Sequence, residues 1–522
     1  MGVAMELVDD ELVPPGEGKK PMDKSPAKKR KKKPKQTPEK KPKPFVDDEP
    51  METDVKETDN SEWSLKTVTG ADLITRRPSV TPCGRQVVVV SGEQVLVYSA
   101  AAGSLVRTLN TGPALAAAAA TTVGHVFVAS KKKICLWNFH EVKIVKQLPF
   151  LSKEGKAEFV TSDVEDVFIP SNFEQLGVAF VTVKVAGKFV LYRVNTSNHS
   201  VHRIFKNIKL GSVDVGDGGN SVCAISCTND GSNRDAVLLL YDQNLSKVVT
   251  VRTDRERPYT VARVHPGERA VAAGDASGRV LVYSGLEQQE PIKAILHWHS
   301  LPVAGLAWSA EGATLYSGGG EAALCKWRRE DGGKPQVVPR LEAPVVGLAG
   351  GGGLTVLQLA NNSLVLLDRA EDRVRGVVGG LARSESGYPA GLAADRERIL
   401  LNGTVGKVQV WAARSGRTYS IDITGQNYLA KERGAAPHNS EVERLAVAEG
   451  GGVLATLDCQ WSAVPRTTLR LWTFDPTVDN YTLNTQVNMG AGLGGFMMTY
   501  KCPNTTYPMI LIWYGMGFYK GI

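Results

Sequence analysis

Nine short β-type runs along this chain end in a bulky residue, and their spacing constrains the fold more than any other feature. Tyr98, Trp137, Tyr192, Tyr241, Tyr283, Trp327, Leu367, Trp411 and Trp472 are separated by 39, 55, 49, 42, 44, 40, 44 and 61 residues. A period of about 40–45 residues with occasional insertions is what a ring of four-stranded blades produces. The runs themselves, such as Gln94–Tyr98, Ile134–Trp137 and Val408–Trp411, are rich in Val, Ile and aromatic residues. Turns such as Ser91-Gly92 and Asn402-Gly403 separate them, and convincing amphipathic helices are absent, so the fold class is all-β. One four-stranded sheet cannot cover both of its faces. Sheets packed radially cover each other, and a recurring bulky residue fills the gap between neighbours. A β-sandwich would also end strands in bulky residues. The glycine turns recur at matching offsets upstream of several landmarks, which favours the β-propeller.

The clearest unit runs from His297 to Trp327 and resembles a WD repeat. Trp308-Ser309 ends its first inner strand, Glu311-Gly312 makes a turn, and Tyr316-Ser317-Gly318 precedes the closing Trp327. In WD repeats a His, a turn Asp, a Ser or Thr and the Trp form a buried hydrogen-bond chain. Here His297 or His299, together with Ser317 and Trp327, supplies three members, and Glu311 is the nearest stand-in for the Asp. Trp137, Trp411 and Trp472 are the corresponding structural residues of other blades. His297 and His299 also share a strand face and could ligate a metal, but no Cys, Asp or Glu joins them at matching spacing. The structural role is therefore expected.

Seven landmarks, Tyr98 to Leu367, suffice for one closed seven-bladed ring, with Ser64–Val68 a candidate for completing its last blade. The units ending at Trp411 and Trp472 begin a second, incomplete propeller. After Met489 the blade pattern lapses. The expected organisation is thus an arm over 1–60, a first WD-repeat propeller over 61–374, the start of a second over 375–489, and an atypical tail over 490–522. That tail is expected to be non-native blade sequence, from a truncated or mis-spliced product.

The arm carries fourteen basic and fourteen acidic residues, so the formal net charge of +8 resides in the remainder. Its charges are segregated: thirteen basic residues lie between Lys19 and Lys43, and acidic ones cluster from Asp47 to Asp59. Such blocks repel themselves and stay solvated, which predicts a disordered interaction tail. Within it, Lys28, Lys29, Arg30, Lys31, Lys32, Lys33 and Lys35 fit a nuclear localisation sequence, flanked by Ser25-Pro26 and Thr37-Pro38 as candidate phosphorylation sites.

No catalytic constellation is present. There is no nucleophile elbow, and the Gly-Lys dipeptides at Gly155, Gly187, Gly333 and Gly406 lack the remainder of a P-loop. The seven cysteines are scattered, with Cys223 and Cys227 the only close pair, and are expected to be reduced and mostly buried. The sequons at Asn195, Asn402 and Asn504 read as chance matches, since no signal-peptide core precedes them. The longest apolar run, Pro508 to Phe518, is too short for a bilayer. A soluble intracellular protein without catalytic residues, cofactor, metal, membrane partner or small-molecule substrate is expected.

Ile295 to Arg340 resembles the WD repeat-containing protein 75 family, the WD-repeat component of the t-Utp subcomplex of the small-subunit processome. Val87–Tyr98, Leu400–Trp411 and Leu469–Met489 share the likeness, which spans about Trp63 to Met489. The resemblance implies tandem propellers that bind pre-rRNA, small nucleolar RNP and other t-Utp and processome subunits in the nucleolus. It further implies a scaffold role in small-subunit rRNA maturation and support of RNA polymerase I transcription. The long basic arm and the aborted second propeller depart from the family pattern. A generic nuclear WD-repeat adaptor, such as a ubiquitin-ligase substrate receptor or a chromatin-complex subunit, is the alternative that the repeats alone leave open.

Overall fold

The computed structural model describes residues 71–514 apart from connecting stretches, the longest being 113–123, 149–162, 227–236, 383–391 and 426–439. The arm, its basic segment Lys28–Lys35 and the strand expected at Ser64–Val68 lie outside the described residues. So does Cys227.

Antiparallel sheets follow one another along the chain, each with its strands paired in sequence order. Four-stranded sheets cover 79–110, 259–297, 303–338, 345–379, 392–422 and 440–488, and three strands are described over 125–148. Residues 163–252 make two further blades, 163–208 and 214–252, joined by the Ile208–Ser226 pair. The strands Gly495–Tyr500 and Met509–Tyr514 form a final antiparallel pair. The only described α-helix is the single turn Phe173–Leu176. The fold is an all-β propeller.

Eight of the nine bulky landmarks sit on the third strand of a four-stranded blade, and Trp137 sits on the middle one of the three strands described over 125–148. In five blades the pairing with the fourth strand slips at the landmark itself: between Val97 and Tyr98, Leu136 and Trp137, Leu191 and Tyr192, Leu366 and Leu367, and Leu471 and Trp472. A bulge adds local twist and re-aims one side chain. The bulky residue faces the seam with the preceding blade in bulged and unbulged blades alike. Tyr192 joins the core shared with Phe127 and Ile134, and Trp327 joins the core shared with Val261 and Val280. Leu367 does the same against Ala307 and Tyr316 of the blade before it.

The decisive seam belongs to Tyr98, because the first blade has no predecessor in sequence. Tyr98 packs with Val87, Val89 and Leu96 against Leu354, Val356, Leu364 and Leu366 of the 345–379 blade. The seventh blade therefore stands where a preceding blade should, and the ring closes. The segment before the first strand seals this seam. Leu73 is fully buried in it, its amide donates to Asn362 Oδ1 at 2.8 Å, and Gln358 Nε2 donates to the carbonyls of Leu73 and Arg76. Backbones approach closely here: at Gly84, with φ of +65°, an added Cβ would lie 1.9 Å from the Gly352 carbonyl oxygen. Only glycine fits both that space and that backbone conformation.

The seventh blade's last strand is Arg373–Gly379, so it crosses the border expected between 374 and 375. Its pairing with Ser363–Asp368 keeps the whole strand with the first ring. The 392–422 and 440–488 blades share their own core, in which Trp472 and Tyr481 pack against Leu400, Val408 and Val410.

Candidate functional site

The unit chosen from sequence carries a complete buried relay. Trp327 Nε1 donates to Ser317 Oγ at 2.8 Å, and Ser317 Oγ lies 2.8 Å from His299 Nε2. His299 Nδ1 lies 3.2 Å from Glu321 Oε2. Since the serine hydroxyl already accepts the indole hydrogen, its own hydrogen goes to Nε2, and Nδ1–H then faces the carboxylate. Glu321 Oε1 also accepts the amides of Ser300 and Leu301. Burial alone would raise the Glu321 carboxyl, but the hydrogen bonds from His299 and Leu301 outweigh it and leave its pKa below the ordinary 4.5. The acidic member is therefore Glu321, not Glu311. Glu321 lies in the turn between the second and third strands, where its carboxylate reaches His299. His297 takes no part: it is exposed at the end of the strand Ile292–His297, opposite Arg279.

The other tryptophans occupy the same lattice point with different partners. Trp327 pairs with Leu315 and reaches the hydroxyl two residues further on, Ser317. Trp472 pairs with Leu454 and donates to Thr456 Oγ1 at 2.9 Å in the same way. Trp411 pairs with Ile399, the residue two further on is Leu401, and its buried Nε1 has no partner among the described residues. Trp137 pairs with Val126, and Val128 likewise offers no hydroxyl. These four residues are blade-packing elements, and no group of three or more His, Cys, Asp or Glu is arranged for a metal among the described residues. Asn402, in one of the sequons, is buried and donates to the Val442 carbonyl.

Sequence reasoning missed a second site. The first strands of five consecutive blades, mostly at their C-terminal ends, surround a cavity of about 440 Å³. Among the described residues Arg77, Arg263 and Arg369 line it together with one carboxylate, Asp214. Asp214 holds Arg77 Nη1 at 2.9 Å and accepts the Val264 amide. Arg263 is 6% exposed and is anchored by Nε to the Leu306 carbonyl and by Nη1 to the Ala262 carbonyl. Burial, and next the neighbouring Arg77, lower Arg263 to about 10, with Asp214 working in the opposite direction. Arg369 donates from Nε to Thr355 Oγ1, while its two terminal nitrogens are buried without a partner among the described residues. The wall is fixed by His265, whose Nδ1 accepts the Gly267 and Glu268 amides, so that Nε2–H donates to the Gly312 carbonyl of the next blade. No local motif announces this cluster, since Arg77, Arg263 and Arg369 come from three distant points of the sequence.

The family model of the WD repeat-containing protein 75 first beta-propeller matches residues 80–356, and that of its second beta-propeller matches residues 393–511. The chain belongs to the WD repeat-containing protein 75 family. The first match covers the ring of seven blades almost entirely. The second runs through the 392–422 and 440–488 blades into the final strand pair, past Met489, where the sequence period lapses. Human WD repeat-containing protein 75 is 25% identical over 446 residues, covering 80% of this chain and 51% of that protein. The Danio rerio protein of the same name is 28% identical over 236 residues, 44% of this chain and 28% of its own length. U3 small nucleolar RNA-associated protein 17 of Schizosaccharomyces pombe is 25% identical over 313 residues, 48% of this chain and 39% of its own. The chain thus spans about half the length of the human relative that it matches.

Proposed function

We propose that this chain is a non-catalytic scaffold in ribosome biogenesis, acting in pre-rRNA processing and small-subunit rRNA maturation within the small-subunit processome. The observation that carries the reading is the match of both propellers to one family, together with a relative named for association with U3 small nucleolar RNA. Its partners are then other t-Utp and processome subunits, pre-rRNA and small nucleolar RNP, and its location is the nucleolus. Support of RNA polymerase I transcription belongs to the same reading. The physical basis is surface complementarity. A ring closed at every seam presents rigid loop-bearing faces, and rigid faces bind without an ordering cost.

The test is to tag the chain, locate it in cells and sequence the RNA cross-linked to it. Nucleolar signal with cross-links in the 5′ part of pre-rRNA is the expected result. A diffuse nucleoplasmic signal with ubiquitin-ligase partners would overturn it. Deletion of Lys28–Lys35 is expected to move the protein toward the cytoplasm, and unchanged nuclear accumulation would defeat the targeting role.

A further inference from the structure

We infer that the arginine-lined cavity at the end of the first propeller's inner strands binds a phosphate monoester carried on a side chain of a partner protein. This goes beyond the scaffold role, which stands whether or not the cavity is used.

Three observations converge. The first is charge. Among the described residues three guanidinium groups and one carboxylate line the cavity, a surplus of two positive charges. Asp214 is already engaged by Arg77 and by the Val264 amide, so it orients Arg77 without neutralising the others. Asp166 acts on Arg263 and Glu311 on Arg369 from outside the lining, each weakly beside the cost of burial. A phosphorylated serine or threonine carries nearly two negative charges at neutral pH and so matches that surplus, whereas one carboxylate does not.

The second is an unmet demand. Arg369 Nη1 and Nη2 are buried and have no partner among the described residues, although Nε is held by Thr355 Oγ1 and the guanidinium lies 5.9 Å from the Tyr316 ring centre. Orphaned buried donors are rare in folded proteins and call for a partner. Gly350 keeps the cradle open: a Cβ there would strike Arg369 Nη2 at 2.3 Å. The arginine fork suits phosphate oxygens, which accept two parallel hydrogen bonds.

The third is the wall chemistry, which selects the carrier. The cavity is flanked by Ile169, Pro170, Val215, Val264 and Pro266. Trp308 is its one aromatic lining residue, and it is already committed, with its ring against His265 at 4.8 Å and its Nε1 donating to the Arg263 carbonyl. Single-stranded RNA is held by several aromatic faces on which successive bases stack, and among the described lining residues there is only this one ring. Aliphatic and proline walls suit a peptide.

The test uses the full chain and fluorescein-labelled peptide libraries, degenerate around a central phosphoserine or phosphothreonine, read by anisotropy. The phosphorylated libraries are expected to bind at least tenfold more tightly than matched unphosphorylated ones, and inorganic phosphate is expected to compete. Arg369→Gln is expected to lose at least tenfold in affinity, and Arg369→Lys, which keeps the charge but not the fork, to fall between. Arg107→Gln, on the exposed strand Leu105–Asn110, is expected to bind as the parent does. Thermal melts of each variant separate lost binding from lost folding, and Arg77→Gln supplies a second reading should Arg369→Gln unfold. Equal binding of phosphorylated and plain libraries would overturn the inference. So would undiminished binding by folded Arg369→Gln and Arg77→Gln, or an Arg369-dependent preference for 5′-phosphorylated RNA over the peptides.

Discussion

At the scale of single residues, the relay in the 303–338 blade makes sharp demands. Ser317 is fully buried and serves both Trp327 and His299, so Ser317→Ala leaves an indole donor and a ring nitrogen without partners. A loss of about 1–3 kcal/mol per orphaned group is expected in urea unfolding. His297→Ala, at an exposed position only two residues from His299, is expected to stay within about 0.5 kcal/mol of the parent. Equal effects at the two histidines would show that the relay has been placed on the wrong one. Glu321 adds a pH dependence. Its folded pKa lies below the ordinary 4.5, so its contribution to stability is present above 4.5 and fades as the pH falls through the folded value. Melting temperature is expected to drop on acidification below about 4.5, and Glu321→Gln is expected to flatten that part of the profile. A profile unchanged by Glu321→Gln would contradict this.

At the scale of elements, the blades divide by what stands two residues beyond the partner of the closing residue. Thr456→Val removes the hydroxyl that accepts the Trp472 indole at almost constant volume, and about 1–3 kcal/mol is expected to be lost. Trp411→Phe removes an indole nitrogen that has no partner, so it forfeits no hydrogen bond and is expected to cost less than Thr456→Val. The reverse order in chemical denaturation would contradict the assignment. This difference also shows what the sequence could and could not convey. The period was legible because seam-filling needs bulk at one fixed point of every blade, and Tyr, Trp or Leu367 satisfies it equally. The acidic partner of His299 was not legible, because Glu311 and Glu321 both lie in glycine-containing turns of the same blade and only the pairing register brings Glu321 to the imidazole. The arginine cavity was invisible for a related reason: Arg77, Arg263 and Arg369 meet through ring closure, not through any local spacing.

At the scale of the whole molecule, everything assigned to the first propeller depends on the closing seam. If the first and seventh blades did not meet, Leu73, Tyr98 and Leu366 would be stranded, and Arg77 would not be held at the cavity. Among the described residues no strand is shared between first and last blades; each supplies its own four strands, and they are joined by side-chain packing and by the segment Ala71–Arg76 laid across Gln358 and Asn362. That makes closure testable by a covalent link. A Cβ at Gly351 would stand 3.1 Å from Val80 Cβ, slightly inside the usual span of about 3.5–4.5 Å between disulfide Cβ atoms. The double substitution Val80→Cys with Gly351→Cys, mildly oxidised in the full chain and digested without reduction, tests it by peptide mass spectrometry. A closed ring predicts a cross-linked peptide joining positions 80 and 351. A folded protein in which both thiols are freely alkylated, with no such cross-link, would contradict it.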